Sequence, residues 1–411
     1  MTDRYERTDI GGGPVVLTEM MPGLRSVSLG IWVRSGSVHE DREEMGVSHL
    51  LEHMVFKGTA RRTARDLALV LERLGGSIDA YTTREHTSYQ ARVLDEHQDI
   101  ALDVLADLVL NPLLRTEDLE LEREVVLEEI STVEDTPDDL IFDLHAALMW
   151  GDHPYGYSIL GTRDTVSALT AKQLRRRHAL EYHRRNLVVA AAGNVKHEPF
   201  VEQVAGLFER LAEGSDHPGF RAPSQVTPRS DRVERASAQT HTVFGARTFG
   251  HGDPRRYALV LLCNALGGGM SSRLFQKVRE ELGLAYAIFS FQSFYRHAGT
   301  NGVYVGTRPE WADRAENVIR EELTRLARDG LSEEELADAK GQVKGQIVLS
   351  MESSSSRLSR LAGTALFDEP FRTVEEVMAL LDAVTLGDAA AVASEYFDPS
   401  NQTVLRLGPD A

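Results

Sequence analysis

Two histidines and a glutamate within five residues are the part of the chain best suited to chemistry. His49, Glu52 and His53 stand in the string HLLEH. In a helix, residues three and four apart share a face, so these side chains would project in the same direction. Two imidazoles at this spacing can chelate one divalent ion, and a carboxylate beside them can take a proton from water that the ion polarises. The spacing therefore predicts a metal site with its own general base.

A third metal ligand has to come from elsewhere in the chain, because catalytic zinc sites use three protein ligands and keep one position open. The acidic segment 117–134 offers many carboxylates. Spacing alone leaves four candidates open: Glu122, Glu124, Glu128 and Glu129. Of these, Glu122 and Glu129 are seven residues apart and would share a helix face, which suits a ligand and a carboxylate that orients another ligand.

The order H-x-x-E-H is typical of the inverzincin class of metallopeptidases. With its surroundings, it resembles the pitrilysin and insulinase family, in particular the short, two-domain branch that is similar to the mitochondrial processing peptidase. The resemblance rests on residues 46–59 (GVSHLLEHMVFKGT) and on a glutamate 76 residues after the second histidine, and it extends over nearly the whole chain. It implies zinc ligands at His49, His53 and Glu129, a further acidic residue at Glu122, and Glu52 as the general base for a zinc-bound water.

The same resemblance implies residues that hold the substrate. The family carries an arginine and a tyrosine seven residues apart in its C-terminal half, as Arg279 and Tyr286 are here. It implies that Tyr286 donates to the developing oxyanion and that Arg279 holds the peptide backbone. Residues 75–82 (GGSIDAYT) resemble the edge strand on which family members lay an extended substrate. The substrate contacts predicted there are Asp79, Ala80, Tyr81 and Thr82.

An internal duplication with an offset of about 215 residues organises the chain. Glu181-Tyr182 and the strand-like run from Asn186 recur as Glu395-Tyr396 and the run from Asn401. The sequence therefore predicts an α+β fold of two homologous α/β sandwich domains, related by a pseudo-twofold axis and enclosing a cavity. The predicted boundaries are 1–212 for an N-terminal metallopeptidase domain, 213–231 for a linker rich in Gly and Pro, and 232–411 for a homologous C-terminal domain that completes the substrate site.

The second half does not repeat the metal site. Gln346 stands where the duplication would place a counterpart of Glu129, and residues 258–266 contain no histidine pair. We therefore expect one Zn²⁺ ion per chain. The run Gly267–Gly269 invites comparison with phosphate-binding loops, but it lacks their Gly-Lys-Ser/Thr ending. His86, His145 and His153 have no paired spacing and are interpreted as structural.

The composition limits the classes of partner that the protein is expected to bind. Lys and Arg number 45 against 63 Asp and Glu, a formal net charge of −18, which argues against nucleic acid and anionic membranes as partners. The first ten residues lack the apolar segment of a signal peptide, and no window is apolar over the length of a membrane span, so a cytoplasmic protein is expected. The single cysteine, Cys263, lies in an apolar run and is interpreted as a buried structural thiol.

The function expected from the resemblance is a zinc endopeptidase that cleaves peptides or unstructured polypeptide segments in an enclosed chamber. A homodimer is expected, with a heterodimer containing a related subunit as the alternative. The rival function is a non-catalytic scaffold or partner subunit of a processing-peptidase-like complex. Such family members usually lose part of the metal motif, whereas this chain keeps all of it. The sequence does not separate general peptide clearance from the processing of one basic substrate.

Overall fold

The computed structural model describes residues 4–214, 219–224 and 227–409. They form two compact units that alternate along the chain. Unit 1 comprises Met1–Ile130, Tyr157–Phe220 and Leu349–Phe371. Unit 2 comprises Ser131–Gly156, Arg221–Val348 and Arg372–Ala411. Each unit contains a mixed β-sheet covered by helices, which confirms the predicted α+β class.

The α-helices are numbered in chain order. They are α1 (Val47–Val55), α2 (Ala64–Glu72), α3 (Gln98–Leu110), α4 (Thr116–Asp135), α5 (Pro137–Trp150), α6 (Arg163–Ala168), α7 (Ala171–Glu181), α8 (His197–Phe208), α9 (Arg256–Gly267), α10 (Ala312–Asp329), α11 (Glu333–Ser350), α12 (Ser354–Leu366), α13 (Val374–Ala383) and α14 (Leu386–Tyr396). A π-helical segment, Phe275–Glu281, precedes the second half's edge strand. Many of these helices begin at a Thr whose hydroxyl accepts a backbone N–H of the first turn, as Thr63 does for α2.

The sheet of unit 1 has the strand order β1-β2-β6-β3-β5-β4. Its strands are β1 (Arg4–Asp9), β2 (Val15–Met20), β3 (Ser26–Val33), β4 (Ser77–Thr82), β5 (Thr87–Leu94) and β6 (Leu187–Gly193). The pair β2–β6 is parallel and the other pairs are antiparallel. Strand β6 is an unbroken apolar run, as expected for a strand that is buried on both faces. Strand β4 lies at the edge of the sheet.

Side-chain alternation along the strands of unit 1 builds two apolar layers. On one face, residues such as Leu29 and Val189 pack with α1 and α3. On the other face, Trp32 and Val188 pack with Leu358 and Leu361 of α12. The result is a sheet between two helical layers, and the H-x-x-E-H helix belongs to the first of them.

The sheet of unit 2 repeats this topology, and its described residues form no counterpart of β1. Its order is β7-β11-β8-β10-β9, with β7–β11 parallel. The strands are β7 (Ser230–Glu234), β8 (Thr240–Thr248), β9 (Ala285–Phe294), β10 (Gly299–Thr307) and β11 (Thr403–Gly408). Read from β2 and from β7, the two sheets use their strands in the same sequence order. The predicted duplication is therefore present in the fold, and β9 is the edge strand that corresponds to β4.

The compact units differ from the sequence halves at two helices. Helix α5 belongs to the first half but packs on the sheet of unit 2, where Ile141 contacts the cluster of Val243, Leu405 and Leu407. Helix α12 belongs to the second half but packs on the sheet of unit 1. The division at 1–212, 213–231 and 232–411 stays a prediction. Within the predicted linker, residues 215–218 and 225–226 lie outside the described residues.

Among the residues that the structure describes, no single helix is long and apolar enough to cross a membrane. One bent pair, α13 with α14, passes such a test by length and composition only, and its two helices meet at 80°. Leu381 of α13 and Val392 of α14 are part of the buried core of unit 2.

Candidate active site

The start of α1 is fixed by a glycine and a buried carboxylate. Gly46 precedes the helix with a φ of 88°, and a Cβ there would lie 2.5 Å from the carbonyl oxygen of Leu160. The buried carboxylate of Glu40 accepts the backbone N–H of Gly46 at 2.9 Å and that of Ser48 at 2.8 Å. The first N–H groups of a helix have no partner within the helix, so Glu40 stabilises this end of α1.

The rotation of α1 is set by its apolar residues. Leu50, Met54 and their neighbours on the helix are buried in the core of unit 1. The side chains of His49 and His53 are 12% and 18% exposed, at the margin of that core. Burial of one face therefore holds both imidazoles on the other, as the i, i+4 spacing predicts.

Helix α4 brings Glu129 to these imidazoles. Oε2 of Glu129 is 3.7 Å from Nε2 of His49, and Oε1 is 3.7 Å from Nε2 of His53. One ligand atom from each of the three residues lies within 4.8 Å of the others. Tetrahedral zinc with ligand bonds of about 2 Å needs ligand atoms roughly 3.3 Å apart, so a small closure would fit an ion. Glu124 and Glu128, the open alternatives, are exposed and lie outside this group.

A second carboxylate of α4, that of Glu122, contacts the other ring nitrogen of His53. Oε2 of Glu122 lies 3.3 Å from Nδ1 of His53, and Oε1 of Glu122 forms an ion pair with Nζ of Lys57. The Glu122 side chain is only 8% exposed and lies between the ammonium group of Lys57 and the imidazole of His53. This arrangement favours the tautomer with the proton on Nδ1, which leaves the Nε2 lone pair facing Glu129.

His49 is prepared for metal binding in a different way. Burial, together with the neighbouring His53, lowers the pKa of His49 to about 3, so its imidazole is neutral at physiological pH. Metal ligation requires the neutral form. Nδ1 of His49 is buried and has no hydrogen-bond partner among the described residues, in contrast to Nδ1 of His53.

Glu52 is buried beside the three ligands. Burial raises the pKa of its carboxyl group, and a hydrogen bond from Thr82 opposes the rise. The Thr82 hydroxyl donates to Oε2 of Glu52 at 2.7 Å. We call His49, His53 and Glu129 the metal group. A carboxylate with a raised pKa next to such a group is suited to accept and return a proton. The expected general base is therefore placed where such a group could act.

Strand β4 is an edge strand, as the sequence predicts, and its residues divide between two faces. It pairs with β5 on one side. Ile78 and Ala80 pack against the core, whereas Asp79 is exposed and Tyr81 is 37% exposed. Thr82, on the same face as Ile78 and Ala80, reaches Glu52. The edge strand of this sheet is thus adjacent to Glu52.

The other predicted pair lies in unit 2. Nη1 of Arg279 donates to the carbonyl oxygen of Tyr286 at 3.1 Å, and its guanidinium lies 4.4 Å from the centroid of the Tyr286 ring. The same guanidinium lies 4.6 Å from the ring centroid of Phe275. Tyr286 is 78% exposed at the start of β9. The two residues form a cation–π pair, and their action on substrate stays a prediction.

Two of the histidines that the sequence predicts to be structural, His145 and His153, contact backbone carbonyl oxygens. Burial lowers the pKa of His145 to about 4, and its Nε2 lies 3.0 Å from the carbonyl oxygen of Thr403. Nε2 of His153 lies 2.9 Å from the carbonyl oxygen of Arg221. Cys263 is buried in α9, and burial raises its pKa. Gln346 is exposed on α11.

Sequence reasoning missed two residues that support the site, Lys57 and Glu40. Lys57 follows His53 by four residues, one helical turn, and that spacing places it near any carboxylate that contacts His53. Glu40 gave no such signal, because it lies six residues before Gly46 in an irregular segment and its role depends on a turn.

Comparison with known proteins finds relatives that align with most of the chain. An uncharacterized zinc protease of Streptomyces coelicolor is 40% identical over 95% of this chain and 86% of that protein. One of Mycobacterium tuberculosis is 41% identical over 94% of this chain and 89% of that protein. One of Bacillus subtilis is 38% identical over 94% of each.

Two solved structures share the fold. A crystal structure described as a peptidase M16 inactive domain from Pseudomonas fluorescens has a TM-score of 0.94, with 21% identity over 99% of this chain and 98% of that chain. A protease from Helicobacter pylori has a TM-score of 0.93, with 23% identity over 99% of this chain and 100% of that chain.

Family models match both halves. Residues 15–163 match the model described as insulinase (peptidase family M16), and residues 168–343 match the model described as the peptidase M16 inactive domain. The first range contains the whole metal group, and the second contains Arg279 and Tyr286. The chain belongs to peptidase family M16, the insulinase family.

Proposed function

We propose that this chain is a zinc-dependent endopeptidase that cleaves peptides or unstructured polypeptide segments, with one zinc ion per chain. The observation that carries the proposal is the convergence of His49, His53 and Glu129 beside the buried carboxylate of Glu52. Two imidazoles and a carboxylate are a ligand set of catalytic zinc, and they leave a coordination position open. The names of the relatives, zinc proteases at about 40% identity, support the same activity.

The chain's own residues divide the chemical work. Zinc held by the three ligands would polarise a water molecule and the carbonyl group of the scissile peptide bond. Glu52 accepts a proton from that water and returns it to the nitrogen of the leaving amine. Glu122, paired with Lys57, keeps the proton of His53 on Nδ1 and so leaves Nε2 free to bind.

Strand β4 accounts for the substrate class. An extended peptide can pair with the free N–H and C=O groups of an edge strand whatever its sequence, which suits an enzyme with loose sequence preference. The exposed residues Asp79 and Tyr81 would contact its side chains. Tyr286 would donate the hydrogen bond to the developing oxyanion, and Arg279, stacked on its ring, would hold the peptide backbone. An enclosed chamber and pairing of chains as homodimers complete the proposal, since a chamber admits flexible peptides and excludes folded proteins.

The test is cleavage of a quenched fluorescent, unstructured basic peptide by the purified chain, with zinc content measured by mass spectrometry. We expect wild type to carry one zinc ion per chain and to lose activity with a chelator. Glu52→Gln should keep its zinc and lose at least about 100-fold in kcat, the range expected for a general base. Glu129→Gln should lose zinc, while Glu124→Gln, an exposed carboxylate on the same helix, should behave as wild type.

The scaffold alternative makes the opposite prediction. A zinc-loaded wild type that leaves a panel of unrelated unstructured peptides intact would overturn the peptidase proposal. A partner subunit would then be sought by co-purification. A stably folded protein of similar composition, offered as substrate, should remain intact throughout, because selection by a chamber depends on flexibility.

A further inference from the structure

Thr82, the last residue of edge strand β4, differs from Asp79 and Tyr81 in the contacts of its side chain. Asp79 and Tyr81 are exposed, whereas Thr82 is partly buried and its hydroxyl is bound to Oε2 of Glu52 at 2.7 Å. The sequence predicts all of 79–82 as substrate contacts. For Thr82 the structure indicates a different role.

We propose that Thr82 is a positioning residue for the general base: its hydroxyl holds one oxygen of the Glu52 carboxylate and leaves the other oxygen to handle the proton. This inference rests on the proposed function. A hydroxyl carries a single hydrogen, so the proton that Thr82 gives to Glu52 is not available to a substrate carbonyl. Its side chain therefore acts on catalysis through Glu52 and not through peptide binding.

The surroundings of Glu52 support this assignment. In the described part of the chain, Thr82 provides the one hydrogen bond to the Glu52 carboxylate. The residue is 8% exposed, so water has little access to replace a missing donor. Without the Thr82 hydroxyl, Oε2 would lie buried without a partner, and the terminal torsion of Glu52 would be free to turn.

Thr82 is itself held in place by the hairpin that follows it. It pairs with Thr87 of β5, and the intervening turn is closed by the Thr83 N–H, which donates to the carbonyl oxygen of His86 at 2.8 Å. The Thr83 hydroxyl accepts the N–H of His86 at 3.1 Å. The donor to Glu52 therefore belongs to a hydrogen-bonded hairpin, which suits the precise orientation of a catalytic group.

The kinetic test compares Thr82→Val, which keeps the shape and removes the hydroxyl, with Thr82→Ser, which keeps the hydroxyl. Groups that orient metal ligands typically contribute 10- to 100-fold to activity, and we take the same range for a group that orients the general base. We expect Thr82→Val to lower kcat by about that factor with KM and zinc content unchanged, and Thr82→Ser to stay within about threefold of wild type. The matched control is Thr87→Val, directly opposite on β5, whose buried hydroxyl donates to the carbonyl oxygen of Ser35 at 2.9 Å. It should lower the melting temperature but keep kcat.

A binding measurement separates positioning from substrate contact without relying on turnover. Fluorescence anisotropy would give the Kd of an intact peptide for zinc-loaded Glu52→Gln and for the double variant that also carries Thr82→Val. Equal Kd values are expected. A Kd at least tenfold weaker in the double variant, or a Thr82→Val change confined to KM, would assign Thr82 to substrate binding and overturn the inference.

The remaining outcomes are also decisive. If Thr82→Ser loses as much activity as Thr82→Val, the hydroxyl is not the cause and the inference is wrong. An active wild type with an equally active Thr82→Val overturns the role of Thr82 alone. A zinc-loaded wild type without peptidase activity overturns the proposed function, and this inference with it.

Discussion

The metal group shows how single residues acquire function from their neighbours. The sequence places His49 and His53 in the same motif, but the structure gives them different surroundings. His53 is backed by Glu122 and Lys57, whereas Nδ1 of His49 is buried without a partner in the described residues. One imidazole is therefore oriented by hydrogen bonding and the other by packing alone. The two ligands should respond differently to mutation of the residues around them.

Lys57→Met tests the support of His53. Without the ammonium group, the mostly buried Glu122 carboxylate loses its ion pair, so it is held less firmly against Nδ1 of His53. We expect zinc affinity to fall by about tenfold, measured by competition with a chromophoric chelator. Lys57→Arg should retain most of the affinity because it keeps the charge. Lys172→Met, an exposed lysine of unit 1, is the control. Wild-type affinity in Lys57→Met would show that Glu122 needs no counter-ion.

At the scale of elements, the sequence predicts what local pattern determines. The i, i+4 histidines, the seven-residue spacing of Glu122 and Glu129, and the alternation in 77–82 all describe one helix face or one strand face, and the structure shows those faces. What lies opposite each face is not local. The Thr82–Glu52 hydrogen bond joins residues 30 apart, and its partner is set by how β4 lies against α1. Spacing therefore predicts which residues share a face but not which oxygen meets which donor.

Gly46→Ala tests how far the start of α1 positions the site. Left-handed φ disfavours any L residue by about 1–2 kcal/mol, and at Gly46 the added Cβ would also meet the carbonyl oxygen of Leu160. Gly23 has a similar φ of 91°, and nothing lies within 4 Å of a Cβ built there. Gly23→Ala therefore measures the free-energy cost of the left-handed φ alone, without the steric contact. We expect Gly46→Ala to reduce the free energy of unfolding by clearly more than Gly23→Ala and to weaken zinc binding as well. Equal losses in chemical denaturation would mean that the contact relaxes without moving α1.

The whole molecule is a duplication in which each half of the sequence contributes one helix to the other unit: α5 packs in unit 2 and α12 in unit 1. The duplicated strand order follows from the repeated pattern of strands and helices, which is visible in the sequence. The exchange of α5 and α12 is not visible in the sequence. Each helix is apolar on a suitable face, and either sheet offers an apolar surface for it to pack on. Polar contacts specify the choice in the structure. Arg357 of α12 forms a buried ion pair with Glu19, and Ser354 lies 2.8 Å (Oγ to Oγ) from Ser28 of unit 1's sheet. Such long-range pairs carry no periodic signal along the chain.

The exchange predicts that stability in each unit depends on the other half of the sequence. Leu361 of α12 and Ile141 of α5 are both fully buried, and truncating such residues to alanine costs about 2–5 kcal/mol. Hydrogen exchange measured by mass spectrometry should therefore show Leu361→Ala deprotecting β2, β3 and β6, which belong to the first half. Ile141→Ala should instead deprotect β8 and β11, which belong to the second. The two variants serve as each other's control, because each replaces a large buried side chain with alanine. If each change remained within its own half of the sequence, the two helices would not be exchanged between units, and the predicted division at 213–231 would describe the folding units as well as the repeats.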